Sequence, residues 1–412
     1  MKSLSRLEIN SFDQHIHTLN LIRFPESTFD KSLRAWDAAD EYIIASVVEK
    51  FKDQSPENIV IINDSFGALT CAFAMLYPQA KICAYTDSFM SEKGLQHNLV
   101  KNDISDANVS HLNSLDIEDI VEHSADAIIL KIPRTHAFLD YILLNISKLI
   151  SVKQSYFVAG AMVKMVTSAV LKNFDKYFSD TKTSLARKKS RLIFAETTIK
   201  LSNQSKQNTL KIVEDPNVPV TLRNYPNVFC RDHIDIGARL LLEHLPKLKA
   251  GETIIDLGSG NGILGLSIID SYITQNTNEC AKHNAQQPPK VLFVDESYMA
   301  IASAKASLSN DYSELAEFRV DHCLSDFLQD DNNHASANVV ICNPPFHQQN
   351  TILDDIAWQM FSDAKLALKI GGELRIVGNR HLEHRTKLVK IFGGCRVIAT
   401  NAKFTVLSAI KN

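Results

Sequence analysis

Short apolar runs recur along the chain. Each ends in glycine or polar residues, and an apolar stretch of helical period follows. In the C-terminal half, Thr253–Ile255 is a β-branched run that ends in Asp256 and then Leu-Gly-Ser-Gly-Asn-Gly262. Ile263, Leu264, Leu266, Ile268 and Ile269 follow at helical spacing, so the pattern predicts strand, glycine turn, helix. A second strand is predicted over Val291–Val294, ending in Asp295-Glu296. A third is predicted over Asn338–Cys342, ending in Asn343-Pro344-Pro345-Phe346. Strands that alternate with helical stretches predict a parallel sheet covered on both faces.

The N-terminal half repeats this order. Ile59–Ile62 leads into Asn63-Asp-Ser-Phe-Gly67 and an apolar helical stretch, Lys81–Met90 parallels Lys290–Met299, and Ala127–Leu130 leads into Lys131-Ile132-Pro133. Three segments in the same order favour internal duplication over chance. The boundary is expected near residue 200, giving domains 1–200 and 201–412. The Asn-, Gln-, Ser- and Pro-rich stretch Ser202–Asn224 reads as a linker without sustained periodicity.

At 412 residues, two domains are also the expectation from length. No apolar run is long enough to span a bilayer, and the N-terminus lacks the apolar core of a leader. The seven cysteines are scattered, without CxxC or Cys–His zinc spacing. Reduced thiols, no metal, and a cytoplasmic, monomeric protein are the expectation. The net charge of −3 hides an uneven distribution: residues 131–200 hold 13 basic against 4 acidic side chains, and residues 1–130 hold 10 against 20. One basic segment in an acidic chain suits a polyanion contact, although a solvated helix face reads the same way.

Gly258, Gly260 and Gly262 remove side chains where backbone must turn sharply and approach a ligand, or where a strand simply meets a helix. Their spacing differs from the dinucleotide fingerprint, and no phosphate-binding Lys follows. Asp256 would face a cationic or amino-bearing ligand. Asp295, at the next strand end, suits the two hydroxyls of a ribose or the cap of a helix equally well. Asn343-Pro-Pro-Phe346 is the most specific signal. Two prolines fix the backbone and remove two N–H donors, leaving the Pro344 carbonyl and the Asn343 amide oxygen as acceptors for one amino group. Phe346 adds a face on which a base could stack, worth ~1–3 kcal/mol. A rigid turn with a core Phe is the structural alternative.

Asp256 to Gly262, Asp295 and Asn343 to Phe346 resemble the class I methyltransferases that modify exocyclic or amide nitrogens. More narrowly, the chain resembles the RlmG/RsmC family of ribosomal RNA guanine-N2 methyltransferases. The segments Phe229–Arg239, Cys342–Gln349, Gly378–Leu382 and Ala399–Phe404 carry that likeness in the second half. In the first half Leu33–Tyr42 and Asn63–Leu69 favour its large-subunit branch over its small-subunit branch. The resemblance implies two tandem α/β Rossmann-like domains, the first degenerate. It implies S-adenosylmethionine as cofactor and a guanine amine of 23S ribosomal RNA as substrate. It makes Asn343, Pro344 and Phe346 catalytic, and has Asp256, Gly258, Gly260, Gly262 and Asp295 hold the cofactor. Asp326, beyond another short strand, is a candidate for the adenine amino group. The polar stretch Gln275–Pro289 departs from the family pattern as a lengthened loop.

The first copy reads as inactive. Ile61 stands opposite Asp256, Asn63 opposite Gly258, Ser65 opposite Gly260 and Lys131 opposite Asn343. An ammonium has no acceptor for an amine's hydrogens. The basic cluster Arg187, Lys188, Lys189 and Arg191 would instead hold RNA phosphates. The rival readings are a small-subunit (16S) substrate, methylation of an adenine or glutamine nitrogen, and a non-catalytic RNA-binding assembly factor.

Overall fold

In the computed structural model, residues 6–11, 15–25, 34–117, 119, 124–150, 155–199, 210–247, 249–278, 288–345, 351–381 and 383–412 are described. The chain divides into two compact units, Met1–Gln207 and Asn208–Asn412.

The first unit begins with an antiparallel hairpin, β1 (Arg6–Asn10) and β2 (Ile16–Asn20). Helix α1 (Ala38–Lys50) follows. Its start is set by a reciprocal capping box in which Asp37 accepts from the Asp40 amide and Asp40 accepts from the Asp37 amide. Next come β3 (Asn58–Ile62), α2 (Ala68–Leu76), β4 (Lys81–Thr86), α3 (Phe89–Lys101), β5 (Val109–Asn113), β6 (Ala127–Lys131), α4 (His136–Ile150) and β7 (Tyr156–Met162). Helix α5 (Ser168–Tyr177) and the hairpin β8 (Phe178–Thr183), β9 (Ser190–Ile199) complete the unit. The sheet order is β5-β4-β3-β6-β7-β9-β8, parallel except for β9 against its two neighbours.

The second unit repeats that plan element for element. It runs β10 (Lys211–Asp215), β11 (Val218–Asn224), α6 (Ile236–Leu242), β12 (Thr253–Leu257), α7 (Ile263–Asn278), β13 (Lys290–Asp295) and α8 (Tyr298–Ser307). It continues with β14 (Ala316–Val320), β15 (Ala337–Cys342), α9 (Thr351–Ala367), β16 (Leu368–Asn379), α10 (His384–Phe392), β17 (Arg396–Thr400) and β18 (Phe404–Ile410). Its sheet order, β14-β13-β12-β15-β16-β18-β17, is the first order renumbered. The α/β class and the duplication expected from the hydrophobic pattern are both present.

The central strands read as unbroken apolar runs because both faces are covered. Ile254, Ile255, Val291, Phe293, Val340 and Ile341 are buried, each worth about 1.5–3 kcal/mol on leaving water. Register fixes where the strands stop. Leu257 pairs with Val294 on one side and with Cys342 on the other, so Gly258, Asp295 and Asn343 leave the sheet at one edge. In the first unit Ile62 pairs with Tyr85 and Leu130, which brings Asn63, Thr86 and Lys131 to the equivalent edge.

Two expectations change. The stretch read as a linker contains the β10–β11 hairpin, whose Val213 and Leu222 face each other and are buried. Its polar outward residues hid a pattern with few apolar positions. The polar stretch from Gln275 is not all loop, since α7 continues to Asn278. Residues 279–287 of it lie outside the described residues.

Candidate active site

Strand β12 connects onward to β13 on one side of the sheet, and β15 lies on its other side. The crevice at the carboxyl ends of β12 and β15 is therefore where the strand order reverses, the ordinary ligand position in open α/β sheets. Gly258 and Asn343 flank it.

The glycine turn needs its glycines for three different reasons. All three have positive φ: 70° at Gly258, 54° at Gly260 and 79° at Gly262. A Cβ on Gly262 would lie 2.6 Å from the Ala304 Cβ, so this glycine lets α7 start against α8. One on Gly258 would lie 2.9 Å from Met360 Cε. One on Gly260 would meet nothing within 4 Å. Gly260 thus faces open space at the mouth of the crevice.

Two carboxylates support the turn. Asp256 is fully buried at the β12 end, and one oxygen accepts from the Gly265 amide at 2.9 Å. Its other oxygen, Oδ1, is buried without a partner among the described residues. Burial chiefly, with the nearby Asp295 charge adding to it, pushes its pKa up to about 7. Asp295 accepts from the Gly260 amide at 2.9 Å and the Ser297 amide at 3.0 Å. The cap of α8 is Ser297, which accepts from the Ala300 amide, so Asp295 is not the capping residue. Its carboxylate braces the glycine turn from the neighbouring strand.

Asn343 lies just past β15. Its Nδ2 donates to Asp235 Oδ2 at 3.3 Å, and its Oδ1 is buried without a partner among the described residues. An unmet buried acceptor costs about 1–3 kcal/mol, which argues for a ligand donor that completes it. Pro344 is buried beside it. Phe346 falls outside the described residues. Asp326 opens a short 3-10 turn, and its Oδ1 accepts from Gln329 Nε2 at 3.1 Å. The buried carboxylate after β14 is Asp321, which accepts from the amides of Asp326 and Phe327 and so holds that loop. His322 beside it is buried, and burial pushes its pKa down to about 4.

In the sequence Asp235 falls within Phe229–Arg239, a segment that carries the family likeness, but has no role of its own there. It caps α6 by accepting from the Ala238 amide at 2.9 Å. On local pattern alone, an Asp before the apolar stretch Ile236–Leu242 is a helix-start signal. Its contact with Asn343 joins positions 108 apart.

The first unit shows the same edge closed. Asn63 has φ 66°, keeping the left-handed backbone of Gly258 with a residue that tolerates it. Its side chain donates to the Lys131 carbonyl at 2.9 Å. The Lys131 ammonium is largely buried, 2.8 Å from Asp37 and 2.7 Å from Asp40. Burial alone would lower the Lys131 pKa, but the Asp40 and Asp37 charges outweigh it and raise it. This lysine, counted within the basic segment, is spent inside the fold. A Cβ on Gly67 would lie 2.6 Å from Leu95, so this glycine keeps the packing role of Gly262.

The basic cluster sits at the end of the β8–β9 hairpin. Arg187 and Ser190 exchange two backbone hydrogen bonds around Lys188 and Lys189. Lys188 is 2.6 Å from Glu41, and Arg187 lies over the Tyr42 ring. Lys189 is exposed, whereas Arg191 is half-buried. The four are neighbours, but Lys188 and Arg187 also have partners on or beside α1.

Residues 9–199 match the RLMG N-terminal domain model, and residues 219–408 match the methyltransferase small domain model. Ribosomal RNA large subunit methyltransferase G of Pseudoalteromonas translucida (strain TAC 125) is 40% identical over 404 residues, 96% of each chain. The protein of the same name from Vibrio vulnificus (strain YJ016) is 38% identical, covering 98% of this chain and 100% of its own. Among solved structures, the T. thermophilus 16S rRNA N2 G1207 methyltransferase, in complex with AdoMet and guanosine, superposes with a TM-score of 0.71. It is 16% identical and covers 100% of this chain and 99% of its own, a likeness of fold. The chain belongs to the ribosomal RNA large subunit methyltransferase G family.

Proposed function

We propose that this chain transfers a methyl group from S-adenosylmethionine to the exocyclic amine of a guanine in 23S ribosomal RNA. The observation that carries the reading is the buried Asn343 Oδ1, without a partner among the described residues, across the crevice edge from the open glycine turn. The residues present fit the cofactor. Gly260 leaves room at the turn, and Asp256 keeps a buried acceptor without a partner among the described residues, suited to a cationic amino group. Asp295, at the next strand end, would take a ribose, and Asp326 is the candidate for the adenine amino group.

When bound, the cofactor supplies an electrophilic methyl on a sulfonium. The protein's part is orientation and electrostatics. Asn343 Oδ1 and the Pro344 carbonyl would accept the two amine hydrogens, turning the nitrogen lone pair toward the crevice and stabilising positive charge as it develops, and the surplus proton on nitrogen would then pass to solvent. Phe346 is assigned to stacking the base. Neither a side-chain nucleophile nor a metal enters this scheme. A base must leave its stack to reach a crevice of this kind, at a cost of a few kcal/mol, which favours single-stranded or bulged RNA.

The first unit, expected from the sequence to span residues 1–200, is proposed to hold RNA through Arg187, Lys188, Lys189 and Arg191. Its closed edge leaves it no cofactor role. The enzyme would act in the cytoplasm as a monomer. The test is methyl transfer to 23S ribosomal RNA from a deletion strain, with the modified position mapped. A guanine that lacks its N2-methyl in that strain and regains it with purified enzyme is the expected result. Transfer to 16S RNA, to adenine or to protein alone would overturn it.

A further inference from the structure

Asn343 can serve as an acceptor only if its amide is turned the right way. The two ends of a side-chain amide are nearly equal in shape and opposite in hydrogen bonding. Turned over, the NH2 group would meet the substrate amine donor to donor. The neighbours of Asn343 must therefore choose the orientation.

Asp235 makes that choice. Its Oδ2 is anchored by the Ala238 amide at 2.9 Å and receives Asn343 Nδ2 at 3.3 Å. An oxygen that already receives the Ala238 amide serves as an acceptor here, so it selects the NH2 end of the Asn343 amide. The oxygen is left as the end without a partner among the described residues. The first unit builds the same tie with different chemistry. Asp37 caps α1 at the equivalent place and binds the Lys131 ammonium at the equivalent strand end. There the tie ends in a group with no acceptor. In the second unit it ends in an amide whose other face is an acceptor.

We propose that Asp235 is a positioning residue for methyl transfer, fixing the amide of Asn343 so that Oδ1 faces the substrate amine. This rests on the reading that Asn343 accepts the amine hydrogens. It assigns Asp235 no contact with substrate or cofactor.

The test is a double-mutant cycle in the full chain. Asp235→Ser keeps a side-chain oxygen for the α6 cap, and Asp235→Thr repeats the measurement with a second capping residue. Either should lower kcat about 10- to 100-fold, with KM for both substrates within about twofold. Asp235→Asn, which retains one oxygen for both contacts, should restore kcat to within about threefold of wild type. In an Asn343→Ala background, Asp235→Ser should change kcat by less than about twofold, because the group it orients is gone. Equal losses in both backgrounds would overturn the proposal, as would full activity of both capping variants. An Asp235→Asn variant as slow as Asp235→Ser would overturn it too, since charge would then be what matters. If Asn343→Ala is itself fully active, the reading of Asn343 falls and this inference with it. If Asn343→Ala is slow and Asp235→Ser is not, only this inference falls.

Discussion

Asn343 and Asp256 each present one satisfied oxygen or amide and one acceptor without a partner among the described residues, yet their environments ask different things of them. Removing the Asn343 acceptor should act on the reaction and spare the cofactor. Asn343→Ala is expected to lower kcat by at least ~100-fold, with cofactor affinity within a factor of about two by calorimetry. Near-normal turnover would take Asn343 out of the mechanism. Asp256 makes a prediction about pH. Its folded pKa of about 7 lies above the ordinary value near 3.9. The native state therefore binds a proton that the unfolded chain does not. The stability from this group is fully present below about pH 4 and is lost as pH rises through about 7. Asp256→Asn should flatten that slope in the cofactor-free protein. A cationic ligand beside Asp256 favours the ionised form, so cofactor binding near pH 6.5 should release a proton. Calorimetry in two buffers of different ionisation heat measures that release, and a zero value would separate Asp256 from the cofactor's charge. These residues were legible as chemistry because they end strands and interrupt apolar runs. The orientation of Asn343 was not legible, since its partner Asp235 lies 108 positions away and is joined to it by the fold alone.

At the scale of elements, the strands were legible because buried parallel strands are short unbroken apolar runs. The β10–β11 hairpin was not, because its burial rests on few positions in a polar stretch. The β8–β9 hairpin end raises a different question. Lys188 and Lys189 take φ of 47° and 63°, where Asn and Gly are the favoured residues of a two-residue turn. Left-handed backbone costs a residue such as Lys roughly 1–2 kcal/mol. The Lys188–Glu41 pair is largely exposed on the lysine side and offsets little of that. Two strained lysines at a hairpin tip are explained if the tip must be basic. Lys188→Asn with Lys189→Gly should then raise the melting temperature and weaken RNA binding together. The slope of log affinity against log salt should fall by about 0.7–0.9 for each phosphate that is no longer neutralised. A more stable variant that binds RNA unchanged, with an unchanged slope, would reduce the lysines to accidents of the surface.

For the whole molecule, two copies of one plan have been driven apart at a single edge. Both keep the hairpin, the capped helix and the seven-strand order, and both keep a glycine where the helix after the turn packs tightly. The different strand-end chemistry of the first copy therefore comes with an intact fold. Where the second unit has a strand-end amide the first has an ammonium, and Asp37 and Asp40 tie that ammonium into the structure. Restoring the amide should damage the first unit without reviving it. Lys131→Asn removes the charge that offsets Asp40, a side chain only 7% exposed, and leaves that carboxylate buried without its counter-ion. Breaking a buried pair from one side costs about 3–5 kcal/mol, so thermal unfolding should shift down markedly. A cofactor would still meet Asn63 where the second unit has Gly258, and Ile61 where it has Asp256. Titration calorimetry should therefore give one cofactor per chain in both wild type and Lys131→Asn. A second bound cofactor in the wild type would show that the first edge is open after all. A Lys131→Asn variant as stable as the parent would show that the ion pair is not what replaced the lost chemistry.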